Sequence, residues 1–267
     1  MHRMAAVAGQ FYAGEKEVLR EQVSNFLQQK QEPLQAVGIM VPHAGYVYSG
    51  AIAGQTFSRV NVPDRVVLLG PNHTGYGAAQ AVYPSGSWQT PLGDIPIDSS
   101  LAGQIIAECG EAIADDLAHR YEHSLEVQVP FIQMKAPKAR LVPVCLGHSP
   151  LQKMLDFGYS LGRLLASQSL PALLVASSDM THFESAESAR LHDMKALEKV
   201  LALDAEGLYR LVAAEAISMC GVMPTVVMLA AAKELGAQKG TLVRYGNSGE
   251  TTGDNAEVVG YAGVVIT

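Results

Sequence analysis

Cysteine is scarce in this chain of 267 residues. Cys109, Cys145 and Cys220 are odd in number and far apart, which excludes the framework of a small disulfide-held domain and predicts reduced thiols. Positive charge is thin as well. Lys and Arg number 19 against 26 Asp and Glu, the net charge is -7, and no Lys/Arg-rich block stands anywhere in the chain. Nothing is there to neutralise a row of phosphates, so no nucleic-acid partner is expected. Long hydrophobic runs are also missing. The most apolar stretch, "GVMPTVVMLAAAKELG", contains Pro224 and ends in charge, well short of the ~20 apolar residues of a bilayer crossing. The opening "MHRMAAVAGQFYAGEKEVL" has too short an apolar region for a secretory signal. A cytoplasmic protein with no membrane partner is the expectation.

What is present suits a packed interior. Hydrophobic residues make up 48% and charged residues 17%, enough for a substantial core and against global disorder. No repeat, low-complexity tract or linker divides residues 1–267, so a single domain is expected. Four apolar runs, 36–42, 65–70, 139–147 and 172–179, lack alternation, as strands covered on both faces do. Two more strands are expected at 240–246 and 256–266. Helical patterns fall at 15–28, 50–58, 99–109, 123–135, 150–168, 184–202, 205–215 and 222–236. Strands and helices in this order predict an α/β fold with a mixed, largely parallel central sheet and helices on both faces.

Polar residues stand just beyond several of these strands. "MVPHAGY" places His43 after the first run, "LLGPNHTG" places His73 after the second, and "VASSDMTH" places Asp179 and His182 after a later one. In a mainly parallel sheet such ends meet along one edge, where open α/β sheets form their crevice. Neutral imidazole is the commonest metal ligand, which makes His43 and His73 candidate ligands. Asp179 and His182, three apart, fit an acid/base or substrate-orienting role, though "SSDMTH" also suits a helix cap. "YEHSLEVQVPF" adds His123 at the start of a helical pattern, with Glu126 three residues on as a carboxylate that could orient it. Cys220, in "ISMCGVMPT", precedes a helix, where unpaired N–H groups favour thiolate; a ligand, a nucleophile and a small buried hydrophobe are all open to it. The glycine-rich "YGNSGETTGDNAE", 245–257, lacks the Lys-Ser/Thr ending of a P-loop and reads as a loop wall of the crevice.

Taken in order, "AGQFY", "PHAGYVYSG", "LLGPNH", "EHSLEVQVPF", "SSDMTH", "MCG", "YGNSGETTGD" and "VVGYAGVV" resemble the Memo family along nearly the whole chain. The resemblance implies a fold like that of class III extradiol ring-cleaving dioxygenases, which use non-haem iron. It also implies a metal site of two histidines and a cysteine, which by motif fall on His43, His73 and Cys220. His123, Asp179 and His182 would then line the open side as catalytic residues. Bacterial and archaeal relatives are often called protein B of an AmmeMemoRadiSam system, which implies a functional link to AMMECR-type and radical SAM proteins. The dioxygenases hold iron with two histidines and a carboxylate. A thiolate at the corresponding place is softer, shifting preference toward copper or zinc and retuning iron if iron is bound.

Three functions compete. The first is a metal-dependent redox protein or oxidoreductase holding one iron or copper ion, with a small molecule or peptide as its ligand. The second is a non-enzymatic module for phosphopeptides or small molecules, since animal relatives are associated with cell motility and have been discussed as binders of a receptor kinase's phosphorylated peptides. The third is a zinc hydrolase with Asp179 or Glu126 activating water.

Overall fold

The computed structural model describes residues 1–28 and 32–267. The four apolar runs become four neighbouring parallel strands, in the spatial order Gly38–Val41, Leu173–Ser177, Arg65–Pro71 and Arg140–Leu146. The long strand Val258–Ile266 runs antiparallel beside Gly38–Val41 and carries Gly240–Asn247, while its first residues pair with His182–Glu184. At the far edge Gln80–Val82 joins antiparallel to Arg140–Leu146, followed by Ile113–Ala114. The sheet is thus mixed, with a parallel centre.

The strand pleat explains why the central runs are continuously apolar. Met40, Val67, Leu69, Val142, Val144, Leu174 and Ala176 face one layer, with the helices Leu151–Ala166 and Val222–Glu234. Their neighbours Ile39, Val41, Val66, Leu68, Leu141, Leu173 and Val175 face the other, with Phe57 of the helix Tyr46–Ser58 and Phe131 of Val129–Lys135. Both faces are buried under helices, so no position in these strands can be polar without a partner. Gly158 lets the first layer close: a Cβ there would lie 2.7 Å from the Val227 carbonyl oxygen. The helix Val222–Glu234 is the apolar stretch with Pro224, and it is a core helix. No helix among the described residues is long and apolar enough to cross a membrane.

Several boundaries differ from the expected ones for identifiable reasons. The pattern at 123–135 divides into His123–Glu126 and Val129–Lys135. Pro130 has no N–H to offer the Glu126 carbonyl four residues earlier and its ring crowds that oxygen, so the helix breaks there. The helix expected from 184 begins at Ala186, capped by Ser185, because 182–184 have joined the sheet. The helix expected from 50 begins at Tyr46. A short hairpin, Ser87–Thr90 with Gly93–Pro96, pairs in parallel with His2–Arg3 and buries Trp88; nothing in the apolar runs announced it. Cys109 and Cys145 are buried, and all three cysteines are free.

Candidate metal centre

The adjacency of three parallel strands fixes the site. Gly38–Val41, Leu173–Ser177 and Arg65–Pro71 lie side by side and release His43, Asp179 and His73 from the same edge. The helix His123–Glu126 packs over the end of Arg65–Pro71 at Gly70, where a Cβ would come within 2.8 Å of Leu125 and Ser124, and so lowers His123 into the same place. His43, His73 and His123 offer ring nitrogens that all lie within 4.8 Å of one another, a spacing that could hold a metal ion. The rings of His73 and His123 stack with centroids 4.7 Å apart and an interplanar angle of 18°.

Hydrogen bonding decides which nitrogen of His43 is free. The Ser177 hydroxyl donates its one hydrogen to the Ser124 carbonyl at 2.6 Å and accepts from Nε2 of Gln128 at 2.9 Å. Toward Nδ1 of His43, 3.0 Å away, it can only accept. Nδ1 therefore carries the proton and Nε2 presents a lone pair. Burial, with the charges of His73, His123 and His182, pushes the His43 pKa well below its usual value, so the ring is neutral near pH 7 and ready to ligate.

His73 is oriented by a carboxylate. Glu122, at the N-cap of the short helix, accepts from Nδ1 of His73 at 2.9 Å, from the His73 N–H at 2.7 Å and from the Ser124 N–H at 2.9 Å. Burial by itself would raise the pKa of Glu122, but these bonds and the His73 charge overcome it and hold the acid at about 2. Ionised, Glu122 accepts only, so Nδ1 of His73 is the donor, and in the neutral imidazole Nε2 is the nitrogen left for a ligand. This is the carboxylate–histidine arrangement that orients and strengthens metal-binding imidazoles. Glu122→Gln is expected to weaken metal binding by about ten- to a hundredfold, read by competition with a chromophoric chelator; wild-type affinity would deny Glu122 this role.

The expected site residues reach this place in different ways. Cys220 stands two residues before the helix Val222–Glu234, and its Sγ lies 3.1 Å from Nε2 of His43, although it is not a member of the three-imidazole group. Gly221 permits that approach, since a Cβ there would strike Ser178 and the Ser177 carbonyl. Burial, then the charge of Asp179, raises the Cys220 thiol well above its usual range, so the sulfur is a thiol donor to His43 in the metal-free protein. Asp179 accepts the His43 N–H at 2.7 Å and its other oxygen lies 4.0 Å from Nε2 of His43. Burial pushes its pKa up to about 6 against the lowering effect of the His43 and Ala44 N–H groups. His182 donates Nδ1–H to the Ser218 carbonyl at 2.9 Å, which leaves its Nε2 as a proton acceptor.

One pairing read from the sequence is corrected. Glu126 does not orient His123. Its two oxygens accept from Arg3, Ala6, Val7 and Tyr12 at 2.7–3.0 Å, and the carboxylate beside His123 is Glu122, 3.6 Å from its Nδ1. Glu122 was missed because a glutamate at a helix start reads as a cap, which it also is. Its position directly before His123 was the available signal. Ser177 and Gln128 were missed inside apolar or helical patterns. His119 is fully buried, and burial lowers its pKa to about 4. A cavity of about 440 Å3 lies elsewhere, lined by His2, Arg3, Tyr83, Asp116, Arg120 and Tyr121.

Fold and site together describe an α/β protein with a histidine-rich cluster at the carboxyl edge of its parallel strands. The model of the Memo family, described as Memo-like protein, matches residues 3–265, and the chain belongs to that family. It is 43% identical over 265 residues to a MEMO1 family protein of Aquifex aeolicus, covering 98% of each chain. With a MEMO1 family protein of Methanopyrus kandleri it shares 38% identity over 279 residues and 99% of each chain. Among solved structures, an uncharacterized protein of Escherichia coli K12, JW3007, is similar in fold, with a TM-score of 0.58 and 13% identity over 87% of this chain and all of that one.

Proposed function

We propose that the protein is a metal-dependent redox protein or oxidoreductase that holds one iron or copper ion at His43, His73 and His123, with Cys220 beside them, and acts on a small molecule or peptide. The observation that carries this reading is the convergence of the three imidazoles, two of which have a proton fixed on Nδ1, so that in the neutral ring Nε2 carries the lone pair. Imidazole-rich sites suit copper, iron and zinc, and a neighbouring thiol adds preference for the softer ions. When bound, such an ion supplies redox and Lewis-acid chemistry.

The residues around the cluster divide the remaining work. His43 is nearly sealed, with 2% of its side chain exposed, whereas His73 and His123 keep 34% and 25%. A ligand therefore enters from the side of His73 and His123. His182, with a hydrogen bond fixing only its Nδ1, can take a proton on Nε2, and Asp179, whose pKa burial raises, is a second group beside His43 able to exchange one. Glu122 and Asp179 set negative charge against the imidazoles. That charge favours a cation over a phosphate, which supports the metal reading above the phosphopeptide module.

The test is redox cycling. The metal-free chain is loaded anaerobically with Fe(II) or Cu(II) and followed by electron paramagnetic resonance as reductant and then oxygen are added. A protein-specific signal that cycles, and that changes in Cys220→Ser, is the expected result. A signal identical to that of the free ion would favour the non-enzymatic module, and a strong preference for zinc with no cycling metal would favour the hydrolase.

A further inference from the structure

The N-terminal segment, residues 3–12, crosses the molecule as a strap, and every end of it is tied to an element of the candidate centre. The buried guanidinium of Arg3 donates to the Glu122 carbonyl at 2.8 Å, to the His119 carbonyl at 2.7 Å and to the Glu126 carboxylate at 2.7 Å. The same carboxylate accepts from the Ala6 N–H at 2.8 Å, the Val7 N–H at 3.0 Å and the Tyr12 hydroxyl at 2.7 Å. All its strong acceptor directions are thus spent on the strap. Between Val7 and Tyr12 the chain turns, Phe11 donating its N–H to the Val7 carbonyl at 2.9 Å and accepting the Tyr46 N–H at 2.7 Å. Tyr46 opens the helix that follows the His43 loop. The strap therefore bridges the loop bearing His43 and the helix bearing His123.

Its point of contact is Phe11. The Phe11 ring lies 4.8 Å from that of His123, tilted by 44°, while His73 stacks on His123 at 4.7 Å. Among the described residues no hydrogen bond reaches the His123 ring; Glu122 is 3.6 Å from its Nδ1. His43 and His73 are each held by a hydrogen bond from Nδ1, but His123 is held by ring packing. A side chain of two rotatable bonds, a quarter exposed and without a hydrogen bond, needs such a wall to stay in one rotamer.

We propose that the strap is a working part of the metal centre, in which Phe11, fixed by the clasp of Glu126, positions His123 as the third imidazole. The inference rests on the three-imidazole reading above and adds a requirement that reading does not make. Phe11 and Glu126 are positioning residues, since neither offers an atom to the ion.

Cobalt(II) is the probe, because its visible absorption reports the number and kind of its ligands whether or not the protein turns anything over. The untagged chain of 267 residues is titrated beside Phe11→Ala, Phe11→Leu, Glu126→Gln and His123→Ala. Phe11→Ala is expected to lose about ten- to a hundredfold in cobalt affinity, the range for residues that orient a ligand, and to take on the spectrum of His123→Ala. Phe11→Leu, which refills the wall, should recover most of the wild-type spectrum. Circular dichroism of Phe11→Ala should remain that of the wild type, which separates loss of positioning from loss of fold. Glu126→Gln, which loosens the strap from its other end, should move the spectrum the same way. Wild-type affinity and spectrum in Phe11→Ala would overturn the role of the strap while leaving the metal reading intact. A wild-type chain that binds no cobalt, or a His123→Ala chain with an unchanged spectrum, would overturn the three-imidazole reading and this inference with it.

Discussion

Glu126→Ala is expected to lower the free energy of unfolding by about 3–5 kcal/mol, the cost of removing one partner from a buried ion pair. Arg3 and Glu126 are 4% and 1% exposed, so the guanidinium left behind is a buried charge without its carboxylate, held only by backbone carbonyls. The Ala6 and Val7 N–H groups and the Tyr12 hydroxyl lose their acceptor at the same time. Burial, with the charge of Glu126, keeps Tyr12 protonated far above its usual range, so it stays a donor in need of a partner. Against a total stability of about 5–15 kcal/mol for ordinary domains the loss is large. Urea unfolding of the metal-free chain measures it. A double replacement, Arg3→Met with Glu126→Leu, should be less destabilised than Glu126→Ala alone, because it leaves no charge buried. A single-variant loss no larger than that of a surface substitution would contradict this account of the strap.

His73→Ala should have a different profile, a large loss of metal affinity with a smaller loss of stability than Glu126→Ala, because the exposed side of His73 lets water replace the ring beside Glu122. Sharing the about 10–16 kcal/mol of a four-ligand structural zinc site equally among its ligands gives about 3 kcal/mol each, or roughly a hundredfold in affinity. A third of the His73 side chain is open to solvent, so its removal leaves little cavity. Glu122 keeps the N–H groups of residue 73 and Ser124. Titration calorimetry and thermal melts on the same sample separate the two effects. Unchanged affinity would remove His73 from the first set of ligands.

The fold was legible where burial on both faces leaves no choice of residue. The runs around Ile39, Leu68, Val142 and Val175 are apolar without alternation because helices cover both sides, and they became the parallel centre of the sheet. The hairpin around Trp88 was not legible, since four-residue strands such as "SWQT" carry too few alternations to stand out from a loop. The site followed the same division. His43 and His73 could be placed because a residue just past a parallel strand can only lie at one edge. His123 stood on a short helix whose docking depends on the close approach at Gly70, a tertiary fact with no local period. The sequence paired His123 with Glu126 by helical spacing, whereas Glu126 spends both oxygens on residues 3–12, a long-range contact with no local signal. Cys220 stood out at a helix start with its role open, the family likeness made it a ligand, and the structure sets its sulfur against His43.

The most direct test of a metal centre at the three imidazoles is the metal content of the untagged chain, purified anaerobically without chelator from cells given balanced iron, copper and zinc, beside His73→Ala treated identically. The account predicts close to one iron or copper ion per wild-type chain and little in the variant. Equal metal in both, or a wild-type chain that arrives empty and takes up no iron or copper on reconstitution, would contradict it.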